Sequence, residues 1–135
     1  MVRFHDLKIG DIVLAEFEGQ WSEGEVVELN WEDKEVCVKT SVQEYWYKPE
    51  ELKGIPLSDE QLIKFGFERE ISPDGSVKYK KGAFRILLPQ KDNFNEFEMW
   101  YREDRRHIKG PIYVHDLQNH YHQMTKVELT RPATV

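Results

Sequence analysis

"GDIVLAEFEGQWSEGEVVELNWEDKEVCVKTSVQEYWYKPEEL", residues 10–52, is the stretch that decides the fold. It opens on a turn signal at Gly10-Asp11. A strand follows, with Val13, Ala15 and Phe17 on one face and Ile12, Leu14 and Glu16 on the other. The polar, glycine-bounded "EGQWSEG" predicts a hairpin connection. "EVVELNW" is the next strand, in which Val27, Leu29 and Trp31 alternate against Val26, Glu28 and Asn30. After the turn "WEDKE", the segment "EVCVKT" sets Val36, Val38 and Thr40 on one face and Cys37 and Lys39 on the other. "EYWYK" is a short aromatic strand ended by Pro49, and "PEELKGI" predicts one helical turn. Four or five short strands joined by tight turns predict a small barrel or strongly bent sheet.

Outward from this stretch, charge divides the chain. Residues 1–54 carry six Lys/Arg against thirteen Asp/Glu, whereas residues 55–135 carry thirteen against twelve. The acidic first part repels a phosphate backbone and favours cationic partners, unless it serves only as a solubilising surface. The hydrophobic fraction of 39% and charged fraction of 33% predict a folded soluble protein rather than disorder. Cys37 is the single cysteine, which excludes a disulfide within the chain and a cysteine-only zinc site. The start "MVRFHDLKIGDIV" has no apolar run of the signal-peptide kind, and no segment approaches the roughly 20 apolar residues of a membrane span. A cytoplasmic protein with no membrane contact is expected.

Past residue 54 the period changes. "IPLSDEQLIKFGF" carries dense helix-start signals: Ser58 as N-cap, Gln61 completing a capping box, and Leu57 with Leu62 as a hydrophobic staple. Asp59 and Glu60 suit the positive end of the helix dipole, and Gly66 suits the position that ends the helix, so a helix near 59–65 is predicted. "FEREISPDGSVKYKKG" is a hairpin around Pro73-Asp74-Gly75. "AFRILLPQ" is a buried strand with Phe84, Ile86 and Leu88 on one face. In "FEMWYRE", Phe97, Met99 and Tyr101 alternate against Glu98, Trp100 and Arg102, and "RRHIKG" forms a last short strand.

The segment "PIYVHDLQNHYHQMTKVEL", residues 111–129, holds three of the five histidines. Proline after Gly110 suits a helix start, and Val114, Leu117, Tyr121 and Met124 recur at helical spacing. An amphipathic helix over 112–124, packed on the sheet around Phe84, Ile86, Phe97 and Met99, is expected. His115 and His122 would stand two turns, about 10 Å, apart along its axis, too far for one metal ion. A zinc helix needs histidines at i and i+4. No metal and no cofactor are expected. His115 reads as a half-packed boundary residue and His120 as an outward-facing one.

The segment 10–52 resembles the SH3-like barrels of the Tudor type, in which a "G-D-x-V-x-A" strand precedes an aromatic-bearing loop and a "G-x-V" strand. The resemblance implies an aromatic cage for a methylated lysine or arginine, with Trp21, Trp31, Tyr45, Trp46 and Tyr47 as its candidates and Glu18, Glu23 and Glu44 as helpful charges. The same rings also serve as core fillers of a small fold. A second resemblance spans most of the chain. "IPLSDEQLIKFGF" and "YVHDLQNHYHQMTKVEL" are similar to the "I-P-L-T-x-x-x-L-x-K-F-G-F" and "Y-V-H-Q-L-Q-N-L-Y-F-A-L-T-G-x-E-L" patterns of short proteins from gut Bacteroidetes and their prophages. His115, Gln118 and Asn119 match that pattern, whereas His120, His122 and Lys126-Val127 depart from it. The resemblance implies a mobile-element or phage-related setting and no mechanism.

The architecture expected is thus α+β: a small SH3/Tudor-like β-barrel over 1–54, a unit of helix, antiparallel sheet and helix over 55–130, and a flexible tail over 131–135. No phosphate-binding glycine loop, nucleophile elbow or zinc helix is present in the sequence, and no enzymatic activity is expected. The function expected is that of a protein-interaction or accessory module, with another, cationic protein as partner. The alternative is a single-stranded nucleic-acid module using "YREDRRHIKG", where Trp100, Arg102, Arg105, Arg106 and Lys109 cluster.

Overall fold

The computed structural model describes residues 2–132. The chain divides into two compact units. One runs to Ile55 and takes in Tyr113–Asn119; the other comprises Pro56–Ile112 and the chain from His120 onward.

The first unit is an antiparallel sheet of β1 (Ile12–Phe17), β2 (Gln20–Asn30), β3 (Glu35–Lys39), β4 (Glu44–Tyr47) and β5 (Leu52–Lys53), in the order β4-β3-β2-β1-β5. β4 and β5 are its edges and are not paired with one another, so the expected small barrel is an open sheet here. A 3-10 turn, Pro49–Glu51, leads into β5. The core collects Val13 and Ala15 from β1, Val26 from β2, Val36 and Val38 from β3, Tyr47 from β4 and Leu52 from β5, with Phe4 and Leu7 from the preceding segment. Burying an aliphatic side chain of this kind contributes about 1.5–3 kcal/mol.

Two local devices depart from simple alternation. The β1–β2 connection is only Glu18-Gly19, with φ of 51° and 80°, so Gln20 is already in β2 and Trp21 lies on a strand opposite Glu16, not in a loop. Such a two-residue turn matches the right-handed twist of the flanking strands, and glycine takes the positive φ without steric cost. The ladder between β2 and β3 then slips between Val26 and Glu28, giving the pairs Val26↔Val38, Glu28↔Cys37 and Leu29↔Val36. A bulge puts two residues of one strand against one of the other. Val26 therefore joins Leu29 on the core face, where strict alternation places Val27.

The second unit is a five-stranded antiparallel meander, β6 (Glu68–Ile71), β7 (Val77–Lys81), β8 (Phe84–Leu88), β9 (Glu96–Tyr101) and β10 (Asp104–Lys109), in sequential order. Of the faces expected from alternation, Phe84, Ile86, Leu88, Phe97 and Met99 are buried and Tyr101 is half-buried; Val77 and Tyr79 of β7 join the buried set. The helix α1 (Asp59–Lys64) begins at Ser58, whose hydroxyl accepts from the Gln61 amide at 3.3 Å. It ends with Gly66 at φ 88°, where the Gly66 amide donates to the Ile63 carbonyl at 2.9 Å and the Phe67 amide to the Leu62 carbonyl at 3.1 Å, a pair of hydrogen bonds that closes the last turn.

α2 (Val114–Thr125) starts three residues after Pro111, whose peptide bond with Gly110 is cis; its amino end is closed by Asp116, which accepts from the Tyr113 amide at 2.9 Å. The predicted apolar face is buried: Val114, Leu117, Tyr121 and Met124. It does not serve one sheet throughout. Val114 and Leu117 belong to the first unit, and Tyr121, whose ring lies 4.8 Å from that of Phe84, to the second. The expected tail begins anchored, because Arg131 donates to Gln61 at 2.5 Å and lies over the Phe65 ring at 5.2 Å. Residues 133–135 of that tail lie outside the described residues.

Candidate functional site

The five aromatic candidates of the first unit do not converge on one cage. Trp31 is 60% exposed and sits edge-on to Phe4 at 4.9 Å, with the Lys34 ammonium near both rings. Trp46 is on the opposite strand face from Tyr45 and Tyr47, across from the buried Cys37, whose thiol is pushed up by burial and by Glu44 and Glu28. Tyr45 is exposed and touches Tyr47 edge-on at 5.3 Å.

Trp21 and Tyr47 do meet. They line a cleft of about 430 Å³ together with Glu16, Glu18, Glu50, Glu51 and Lys53. Register explains the convergence. Trp21 pairs with Glu16 across the β1–β2 ladder, and β5 runs beside β1 with Leu14↔Lys53 and Ala15↔Leu52. Tyr47 is buried and its hydroxyl donates to the Glu16 carbonyl at 3.3 Å, which closes the floor. The 3-10 turn presents Glu50 and Glu51, and Glu51 is steadied by accepting from the Lys48 amide at 2.8 Å. The Lys53 ammonium lies 4.2 Å from the centre of the Trp21 ring. Of the acidic residues expected to help, Glu18 is in the cleft; Glu23 and Glu44 do not line it. Glu16, Glu50, Glu51 and Lys53 carry no motif; strand pairing brings Glu16 and Lys53 to the cleft, and the 3-10 turn brings Glu50 and Glu51.

The motif residues of α2 are structural. Gln118, with no exposure, accepts from the Ile12 amide at 2.8 Å and donates to the Gly10 carbonyl at 2.9 Å. Asn119 donates to the Asp6 carbonyl at 2.7 Å. His115 is more buried than a boundary residue: it is 3% exposed, stacked on Tyr113 with ring centres 5.8 Å apart, and its Nδ1 has no partner. Desolvation, aided by Lys8, lowers its pKa against the pull of Asp116 and Asp6. His120 is not outward and idle, since its Nδ1 lies 2.9 Å from the Arg106 guanidinium. His122 lies 3.3 Å from Glu128. Among the described residues, no group of three or more His, Cys, Asp or Glu comes together as metal ligands do.

The basic candidates of the second unit are sorted by strand parity. Arg105 and Trp100 pair across β10 and β9, with the guanidinium 5.0 Å from the ring centre, and Lys109 shares their face. Arg106 lies on the other face, bonded to His120 and, at 2.8 Å, to Gln123. Arg102 is in the β9–β10 turn at φ 57°, over Tyr101. A further cleft of about 410 Å³ contains a His107–Glu96 pair at 2.7 Å, but its lining offers no serine, threonine, cysteine or lysine for that pair to activate.

Compared with protein families, curated proteins and solved structures, the chain matches none.

Proposed function

We propose that this chain is a non-enzymatic protein-interaction module whose first unit receives a cationic side chain of a partner protein, a lysine, methylated lysine or arginine, in the Trp21 cleft. One observation carries the reading: the cleft already holds a cation over an indole face, the Lys53 ammonium at 4.2 Å from Trp21, among Glu16, Glu18, Glu50 and Glu51. A cation over such a ring gains about 0.5–2 kcal/mol, and the carboxylates add long-range attraction. The acidic balance of residues 1–54 points the same way. The strand order β4-β3-β2-β1-β5, with a 3-10 turn before β5, supports a Tudor-type SH3-like reading of the unit. The resemblance to short Bacteroidetes and prophage proteins supports an accessory role in a phage-related setting. Titrating the full chain with a peptide bearing trimethyllysine, followed by amide and indole NMR shifts, tests the reading. Saturable shifts at the Trp21 indole that disappear in Trp21→Ala and weaken in Glu50→Gln are expected. Shifts that persist unchanged in Trp21→Ala, or no shifts at all, refute it.

A further inference from the structure

We infer that the outer face of the second unit's sheet is a binding platform for single-stranded nucleic acid, a site distinct from the Trp21 cleft. Register assembles it. Arg105, Trp100, Arg85 and Lys80 stand in one cross-strand row over four neighbouring strands, β10, β9, β8 and β7. Neighbouring strands are about 4.8 Å apart, so the row spans about 14 Å. Their alternation partners, Met99, Ile86 and Tyr79, are fully buried, which fixes the row on the opposite face.

The parts have complementary chemistry. Trp100 carries the Arg105 guanidinium at 5.0 Å from its ring centre, and the two groups together offer a surface for an unpaired base. Bases stack on aromatic rings and on guanidinium planes alike, and neither contact is open to a paired base inside a duplex. At its other end the row opens into a cleft of about 280 Å³ lined by Gly66, Glu68, Lys80, Lys81, Gly82 and Arg85. Three cations against one carboxylate suit a backbone phosphate. Lys81 and Arg85 donate to neutral carbonyls, Lys81 to Phe65 at 2.9 Å and Arg85 to Gly82 at 2.5 Å, so a phosphate recruits them without breaking an ion pair. Glu98 near Arg105, at 3.7 Å, and Glu70 on Lys80, at 3.0 Å, partly neutralise the row and keep the affinity modest.

The occupant fits a nucleic acid better than an acidic peptide, because the row couples a stacking surface to an anion seat. Fluorescence anisotropy of a labelled oligothymidylate with the full chain tests this. Binding in the micromolar range is expected at about 50 mM salt, about twenty-fold weaker at about 200 mM, the slope for three phosphates on a single strand. Trp100→Ala and Arg85→Gln each weaken it at least about five-fold, while Lys39→Gln, on β3 of the first unit, leaves it unchanged. Absence of binding at the lower salt overturns the inference, as does binding indifferent to both Trp100→Ala and Arg85→Gln. Equal competition by polyglutamate would make the face a general anion surface, and equal competition by thymidine monophosphate a mononucleotide site; either result also overturns it.

Discussion

At the scale of single residues, Gln118 and His115 show how α2 acts inside the first unit. Gln118 spends both ends of its amide on the start of β1, accepting from Ile12 and donating to Gly10. Replacing it by Met keeps the volume and removes both bonds. A buried backbone group left unpaired costs about 1–3 kcal/mol, so Gln118→Met should destabilise by about 2–4 kcal/mol in urea titration. His115 is a neutral ring in a buried place, and its folded pKa lies below the ordinary value. Protons therefore bind more readily to the unfolded chain. Stability should be full above about pH 6.5 and fall below it, with a slope of at most about 1.4 kcal/mol per pH unit. Melting curves between about pH 7 and 5 should show the fall, and His115→Gln should flatten it. An unchanged slope in that variant would assign the acid sensitivity to another group.

At the scale of elements, α1 is a six-residue helix held by its ends rather than its length. Its first residue, Asp59, accepts from the Tyr79 hydroxyl at 2.7 Å and pairs with Arg69 at 2.9 Å. The Tyr79 bond, and after it Arg69, hold the Asp59 carboxyl below the usual carboxylate range against partial desolvation. Burial and Asp59 together push the Tyr79 phenol upward. Tyr79→Phe removes this tie between helix and β7 at constant ring volume and should cost about 1–2 kcal/mol by denaturant titration. The part of that stability linked to Asp59 is present above about pH 4 and lost as pH falls through its lowered pKa, so wild type and variant should converge in acid. In α2, Leu117 has no exposure, and Leu117→Ala should cost about 2–5 kcal/mol.

At the scale of the whole molecule, the first unit is not contiguous in sequence: it needs Tyr113–Asn119 as well as the residues up to Ile55. The Val114 amide donates to the Ile55 carbonyl at 2.8 Å, and Gly54 lies so close under the Tyr113 ring that a Cβ there would meet it at 2.5 Å. A fragment ending at residue 55 should therefore lack a dispersed NMR spectrum and regain it on adding a peptide of residues 111–125. A dispersed spectrum from the fragment alone would show that the sheet stands without its helix. No helix among the described residues is long and apolar enough to cross a membrane.

The sequence by itself determined what is local. Period-two alternation grouped Val13 with Ala15, Val36 with Val38, and Phe84 with Ile86 and Leu88 on faces that are buried, although Phe17, grouped with the first pair, is exposed; cap chemistry at Ser58 and Gly66 bounded α1, because each depends on residues within one turn or one strand. Period 3.6 found the buried face of α2, although which unit each half serves was beyond it. Tertiary structure alone decided the rest. The Glu18-Gly19 turn moved Trp21 onto a strand opposite Glu16, and the bulge after Val26 reset which β2 residues face the core. Strand pairing and the 3-10 turn joined Trp21, Tyr47 and four glutamates from two separate stretches of chain, 16–21 and 47–51; pairing also sent Trp31 and Trp46 elsewhere and placed Arg85 and Lys80 beside Trp100 while turning Arg106 away. Register and turn geometry are settled by the packing of whole faces, and a single added residue in one strand exchanges its two faces. Side chains that meet across strands are therefore not encoded in any window short enough to read along the chain.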